Sequence, residues 1–382
     1  DLEQVFAVRL GERYRKPVAL VGEYSKPEFS CKRPIRTTSS LLIGADAVSH
    51  LRSKNLEGYI LLDYAELNQL ISLMQVRKAF QQTKILRIIE KKVDNVDGNY
   101  VDLGRFKTKF GLDHRDFSIG ELVEEIDRVI QSKDEWRKVE EITDRLIKNA
   151  QRVHMKGEYI ANSVHFYVAV KNLLEKYGCN AFTANCFELC PDKRAASRIK
   201  AIPCLTHTLL KDQGFPSACE GDINVLLAMM LLMYLSKKSA YMGNIFLIDK
   251  KENIMAVLHG VPGLKMKGLD KPDLPYEIRN FTVAGWGVSM RYDFSRDKGE
   301  VVTLARFNPL ADKLLLTKGE IVEGGGFNDI DCLLRVYIKI PDVIDFFHKV
   351  ADFGNHHALV YGDYTKELIE LGKLMKFEVV KV

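Results

Sequence analysis

The chain has no apolar run long enough to cross a membrane: its longest, Val225 to Leu235, falls well short of the roughly 20 residues a span needs and reads as a buried helix. No secretory signal pattern opens it. It has no long basic stripe, and a net charge of +5, with Lys, Arg, Asp and Glu mixed throughout, is too mild to argue for nucleic acid. It has no CxxC pair among its seven cysteines (Cys31, Cys179, Cys186, Cys190, Cys204, Cys219 and Cys332), most of which lie inside apolar stretches. That pattern predicts buried free thiols in a reducing cytoplasm rather than a disulfide framework. Internal repeats and low-complexity tracts are absent too. What remains is ordinary globular composition, 46% apolar and 28% charged over 382 residues, enough for two or three domains with their own cores.

In the first half, short apolar strands alternate with helical patterns. "KPVALVG" (16–22), "GYILLDY" and "KILRII" read as strands. "DAVSHLRSKN" and "ELNQLISLMQVRKAFQQ" carry helical spacing between them, so a parallel α/β sheet is expected. Charged helices fill roughly 119–154, an amphipathic helix ends at Gly178, and "AFTANCFEL" reads as a buried strand. After about residue 240 the pattern turns antiparallel. "NIFLIDKKENIMAVLHG" reads as a hairpin, "SMRYDFSRDKGEVVTLARF" and "DKLLLTKGEIVEG" repeat the device, and "CLLRVYIKI" adds a strand. The expected fold class is α/β: two N-terminal Rossmann-like parallel domains, 1–85 and 86–213, and a mainly antiparallel β domain with helices, 214–382. Gly324-Gly325-Gly326 has no strand-loop-helix context and reads as a loop.

Three stretches hold the chemistry-bearing candidates. Glu188 ends "AFTANCFEL"; acids at the carboxyl ends of parallel strands face the ligand crevice, although a strand-end Glu facing water is an equal reading. In "CEGDINVLLAMMLL" Asp222 opens an apolar helix, where its plain role is an N-cap, and Glu220 stands beside Gly221, which lets the backbone turn sharply. In "FGNHHALVYGD" His356 and His357 face opposite ways if a strand begins there. Two carboxylates and an imidazole suit Mn²⁺, Co²⁺ or Mg²⁺ with open positions. His259 ends a hairpin strand and could lie near such a site, whereas His165 and His207 read as packing residues.

"NCFEL", "PSACEGDINVLLAMML" and "GNHHALVYGD", in that order, resemble the L-fucose isomerase and L-arabinose isomerase superfamily, nearest its fucose-isomerase-like branch; "KGEVVTLARF", "KLLLTKGEIVE" and "MGNIFLID" look like its framework. The resemblance runs from about 160 to 382 and is thinner before. It implies an aldose–ketose isomerase working through a cis-enediolate, with Glu188, Asp222 and His357 on a divalent metal, Mn²⁺ foremost. Glu188 and Asp222 are expected as the catalytic acid–base pair, and Glu220, Asn224, His259 and His356 as substrate contacts. A sugar-binding or sensing protein on the same scaffold, or a metal-dependent sugar aldolase, are the competing readings. A sugar substrate and a homo-oligomer, trimer or hexamer, are the implied partners, with no nucleic acid and no membrane. The basic stretch 31–40, Arg194 and Arg198 could favour an anionic sugar, or be solvated surface charge.

Overall fold

Short apolar strands separated by helices close a sheet in parallel, because each helix returns the chain to the same edge. The computed structural model describes residues 2–21, 39–90, 95–96, 99–100, 102–190 and 199–382; Cys31, the basic residues of 31–38, Arg194 and Arg198 lie outside the described residues. Chain contacts divide it into two units, Asp1–Gln75 and Val76–Val382. In the first, strands Val18–Val21 and Gly58–Leu61 pair in parallel, and Ala47, Val48 and Leu51 of the helix Ser39–Ser53 are buried.

The second unit is built on a four-stranded parallel sheet in the spatial order Asp113–Phe117, Lys84–Ile88, Ala181–Ala184, Ser217–Ala218. The helices Ile119–Gln131, Lys133–Asn149 and Gly157–Tyr177 supply its apolar cover. Ser118 and Glu121 form a reciprocal capping box at the first of these, and Gly178 in the left-handed conformation ends the last. "AFTANCFEL" is not one strand, as its sequence suggests. The strand stops at Ala184, and the Asn185 side chain accepts the Phe187 N–H at 3.1 Å, starting the one-turn helix Cys186–Leu189 that carries Glu188.

The helix Ile223–Ser236 is apolar on every side and buried from Ile223 to Met233, as a helix enclosed by other elements must be. It packs on Ser217–Ala218 and on the strands Val301–Phe307 and His357–Tyr361. Those two strands belong to an antiparallel sheet in the order Val301–Phe307, His357–Tyr361, Tyr241–Asp249, Ile254–His259, Leu334–Lys339, Lys313–Gly325. Lys313–Gly325 pairs back onto Val301–Phe307, so the sheet closes like a barrel, and Glu378–Lys381 adds a parallel strand outside the ring. The fold is therefore mixed α/β with parallel sheets and a barrel-like antiparallel sheet toward the C-terminus. Among the described residues no helix is long and apolar enough to cross a membrane.

Two expected hairpins are absent. Val288–Tyr292 pairs with Tyr276–Asn280 rather than with Val301–Phe307. Between them, a 3-10 turn at Phe294–Asp297 is tied down by Asp297, whose Oδ2 accepts from the hydroxyls of Tyr292 (2.6 Å) and Tyr361 (2.8 Å). Lys313–Gly325 runs as one strand because its first half pairs with Val301–Phe307 and its second with Leu334–Lys339, leaving no segment to fold back. Gly324 and Gly325 end that strand rather than forming a loop; a Cβ on Gly324 would come within 2.4 Å of the Ser295 nitrogen.

Gly243 lies between the two histidine-bearing strands, in register with His357 on one side and next to Leu258 on the other. A Cβ there would stand 2.6 Å from the Leu258 carbonyl oxygen, a backbone atom that cannot swing aside. Gly243→Ala is expected to cost about 1–3 kcal/mol, as overpacked cores do, and to lower the urea midpoint; an unchanged midpoint would mean the strands are not this close.

Candidate metal centre

The strands Lys84–Ile88, Ala181–Ala184 and Ser217–Ala218 deliver Glu90, Glu188 and Glu220 just beyond their carboxyl ends, where ligand crevices of parallel sheets form. The Gly221 N–H donates to the Ala184 carbonyl at 3.0 Å, so the turns after the last two strands touch. Glu188 Oε2 accepts the Glu90 N–H at 2.9 Å. Glu220 and Gly221 both sit in the left-handed region, at φ +60° and +67°. Glycine takes this conformation freely; for Glu220 it costs on the order of 1–2 kcal/mol, and strain of this kind collects at functional sites.

That turn aims Glu220 at two imidazoles from the barrel. His259 ends the strand Ile254–His259, and its Nε2 lies 3.1 Å from Glu220 Oε1. His356 immediately precedes the strand His357–Tyr361, and its Nε2 lies 3.3 Å from Glu220 Oε2. The ligand atoms of Glu220, His259 and His356 all fall within 4.8 Å of one another, a group that could hold a metal ion. Atoms bound about 2.1 Å from one ion sit about 3 Å apart, so the spacing fits.

Asp222 stands behind this group. Its Oδ1 accepts the Val225 N–H at 3.1 Å and caps the buried helix. Its Oδ2 takes Arg306 Nη1 at 2.7 Å and His356 Nδ1 at 3.1 Å. Asp222 is 0% exposed and Arg306 1%. Burial alone would raise the Asp222 pKa; the Arg306 guanidinium and the His356 ring outweigh it and hold the carboxyl well below the usual carboxylate range. A carboxylate acceptor makes Nδ1 of His356 the donor, which leaves Nε2 with its lone pair facing a Glu220 oxygen. Nε2 is buried and has no hydrogen-bond partner among the described residues. Two lone-pair atoms face to face call for a cation between them, so the donor set fits a divalent metal.

Burial likewise works on Glu220 and His259. It would raise the Glu220 pKa, but the two histidines reverse that and lower it. It would lower the His259 pKa, but the neighbouring Cys332 sulfur and Glu220 raise it. Burial pushes the Cys190 thiol up to about 12, and the Cys219 thiol, raised by the Cys186 sulfur 3.8 Å away and by burial, stays protonated too.

This geometry redistributes the residues singled out in the sequence. Glu220, His259 and His356, expected only as substrate contacts, converge. Asp222, expected at the metal and as half of the acid–base pair, is enclosed by Arg306, His356 and a helix N-terminus and reaches the site only through His356. His357, expected as the metal-binding imidazole, turns the other way because a strand begins at it: its Nδ1–H donates to the Asn355 carbonyl at 2.9 Å and its ring meets Phe346 at 5.2 Å. Asn224 is fully buried in the first turn of the capped helix. Arg306 carried no expectation and Cys332 only that of a buried free thiol; an arginine in the apolar run "VVTLARF" was the available signal for the former.

Burial pushes the His357 pKa down to about 3, against 6.5 unfolded. The unfolded chain thus binds more protons across that window, and stability falls as pH drops from about 6.5 toward 3. The depressed Asp222 pKa acts in the same direction at the acid end. Urea unfolding followed from pH 7 to pH 4.5 is expected to lose stability steadily, with a shallower slope in His357→Phe. Asp222→Asn, which leaves the buried Arg306 cation without its anion, is expected to cost about 3–5 kcal/mol at pH 7. A slope unchanged by His357→Phe, or Asp222→Asn at wild-type stability, would contradict these burial assignments.

Residues 88–238 match the family model of the L-arabinose isomerase central domain. A sulfoquinovose isomerase of Alkalicoccus urumqiensis is 25% identical over 97% of this chain and 82% of its own. Sulfoquinovose isomerases of Priestia aryabhattai and Priestia megaterium are each 26% identical over 62% of this chain, which spans only 51% of their length. The central-domain match and these relatives support the chain's place in the L-arabinose/L-fucose isomerase superfamily as a sugar isomerase, an intramolecular oxidoreductase.

Proposed function

We propose that the chain interconverts an open-chain aldose and its ketose at the Glu220–His259–His356 centre, with Mn²⁺ as the resident ion and Co²⁺ or Mg²⁺ as substitutes. The observation that carries this reading is the convergence of one strained carboxylate and two buried imidazoles beyond the carboxyl ends of the parallel strands. A bound divalent ion supplies Lewis-acid polarisation of the sugar oxygens on C1 and C2. Glu220, His259 and His356 hold it, and Asp222 fixes the ring of His356 so that Nε2 is presented. Glu188, steered by the Glu90 N–H, takes the proton from C2 and returns it to C1 by way of the enediol, while the O2 hydroxyl proton passes to O1. Asp222 remains ionised against Arg306 and exchanges no proton with the sugar. Sulfoquinovose, the aldose named for the relatives, is the first substrate to try.

Two readouts separate holding the ion from moving the proton. Mn²⁺ titration by calorimetry reports the first; solvent deuterium exchange at the sugar's C1 or C2 reports the second. His356→Ala is expected to weaken Mn²⁺ binding at least ~10-fold, with partial recovery of exchange in excess Mn²⁺. Glu188→Gln is expected to bind Mn²⁺ normally and lose exchange by ~10²–10⁴. Exchange at the wild-type rate in Glu188→Gln would mean another group is the base. Wild-type exchange that survives removal of divalent ions would sink the metal assignment.

The same proposal includes a homo-oligomer, a trimer or hexamer. Phe246, Leu247 and Ile248 are consecutive and 48%, 37% and 51% exposed on the hairpin strand Tyr241–Asp249, an apolar surface suited to another copy. Sedimentation equilibrium is expected to read a multiple of 43.5 kDa, and a monomer with full activity would overturn it.

A further inference from the structure

Among the described residues the buried arginines have carboxylate partners, with one exception. Arg87 pairs with Asp116 at 2.8 Å and Arg306 with Asp222 at 2.7 Å. The partly buried Arg279 and Arg335 pair with Glu277 at 2.6 Å and Asp329 at 3.0 Å. Arg291, on the strand Val288–Tyr292, is 0% exposed and is in no ion pair with a described residue. Its Nη2 donates to the Asp331 carbonyl, while Nε and Nη1 are buried with no acceptor among the described residues. The side chains that bear on it most are Tyr241 and Cys204, whose pKa values burial raises, the Cys332 thiol, and a second cation, Arg279. A guanidinium is charged at any working pH, and leaving one buried without an anion costs several kcal/mol. A fold keeps such a group where something outside the chain supplies the anion.

Arg291 also stands against the metal centre. Ser289, two residues earlier on the same face of the strand, donates to the Gly260 carbonyl at 3.1 Å, and Gly260 follows His259. Asp331, which Arg291 holds, precedes Cys332, whose sulfur adjoins His259. Two residues along a strand span about 6.6 Å, the order of a hexose carbon chain. A sugar with C1 and C2 at Glu220, His259 and His356 can therefore present its far end toward the buried, acceptor-less Nε and Nη1 of Arg291.

We propose that Arg291 binds a tetrahedral oxyanion, a sulfonate first and a phosphate second, at the end of the sugar remote from the carbonyl, so that the chain selects anionic over neutral aldoses. This rests on the isomerase reading for the position of C1 and C2, and deepens it by assigning the residue that sets substrate class. The planar fork of Nε and Nη1 suits sulfonate oxygens, and the desolvated surroundings strengthen the contact.

The test compares 6-sulfo, 6-phospho and 6-deoxy forms of one aldose on the full chain loaded with Mn²⁺, reading calorimetric binding and turnover in parallel. Wild type is expected to bind the 6-sulfo sugar at least ~30-fold more tightly than the 6-deoxy sugar, the usual effect of removing one partner of a buried charge pair. Arg291→Lys and Arg291→Gln are expected to lose most of that discrimination while binding the 6-deoxy sugar within about threefold of wild type; Lys retains more than Gln because it keeps the charge but not the fork. A wild type that turns over all forms with equal affinity overturns this inference and leaves the isomerase standing. Charge-selective binding without turnover does the reverse. If both variants fail to fold, selenate soaked into wild-type crystals decides by its anomalous signal: an ion on Arg291 Nε and Nη1 supports the site, and an adventitious ion only, or none, overturns it. A preference for phosphate over sulfonate overturns the order of ligands proposed.

Discussion

One carboxylate, that of Asp222, holds the site together. It accepts from the first turn of an all-apolar helix, from a guanidinium on one barrel strand and from an imidazole at the start of another. Arg306 extends the junction, for its guanidinium also takes the carbonyls of Phe353 and His356. In so fully buried a region, each of these groups is expensive unless the others are in place, so the arrangement is set as a unit. The helix end favours an anion and the anion favours the arginine. The same anion orders the tautomer of His356. The helix thereby joins the parallel sheet to the barrel through charge as well as packing.

Two buried arginines then illustrate two uses of one residue type. Arg306 is neutralised internally, and its role is to keep Asp222 ionised and His356 oriented. Arg291 has backbone groups, Tyr241, two thiols and a second cation, Arg279, around it, and no internal anion among the described residues. Full burial is the same for both, and only the partner differs. The contrast separates a structural ion pair from a group held in reserve for a ligand.

Much of the architecture is legible in local pattern. Short apolar runs mark the strands Lys84–Ile88 and Ile254–His259, period-two alternation marks Leu334–Lys339, and the run after Asp222 could only be a buried helix. Pairing was harder. The segments 289–307 and 312–324 look like hairpins because each contains Gly or Asp between apolar runs. Their partners are instead Tyr276–Asn280 and two separate barrel strands. Turn residues permit a reversal, and the competition for distant edges decides whether one occurs. Glu188 was displaced from its expected strand for a local reason, the Asn185 cap, which its sequence did contain.

Local pattern singled out three short segments, "NCFEL", "CEGD" and "NHHA", which do meet in the fold, and the paired histidines must diverge wherever a strand begins. It could not decide which member of each pair faces inward. Glu220 rather than Asp222, and His356 rather than His357, face the common centre because Arg306, fifty positions before the first of the histidines, claims Asp222 and because strand pairing starts at His357. Those choices depend on contacts between elements far apart in the chain. A charge finds its counter-charge and a strand its edge only once the helix, the sheet and the barrel are assembled around the same buried point.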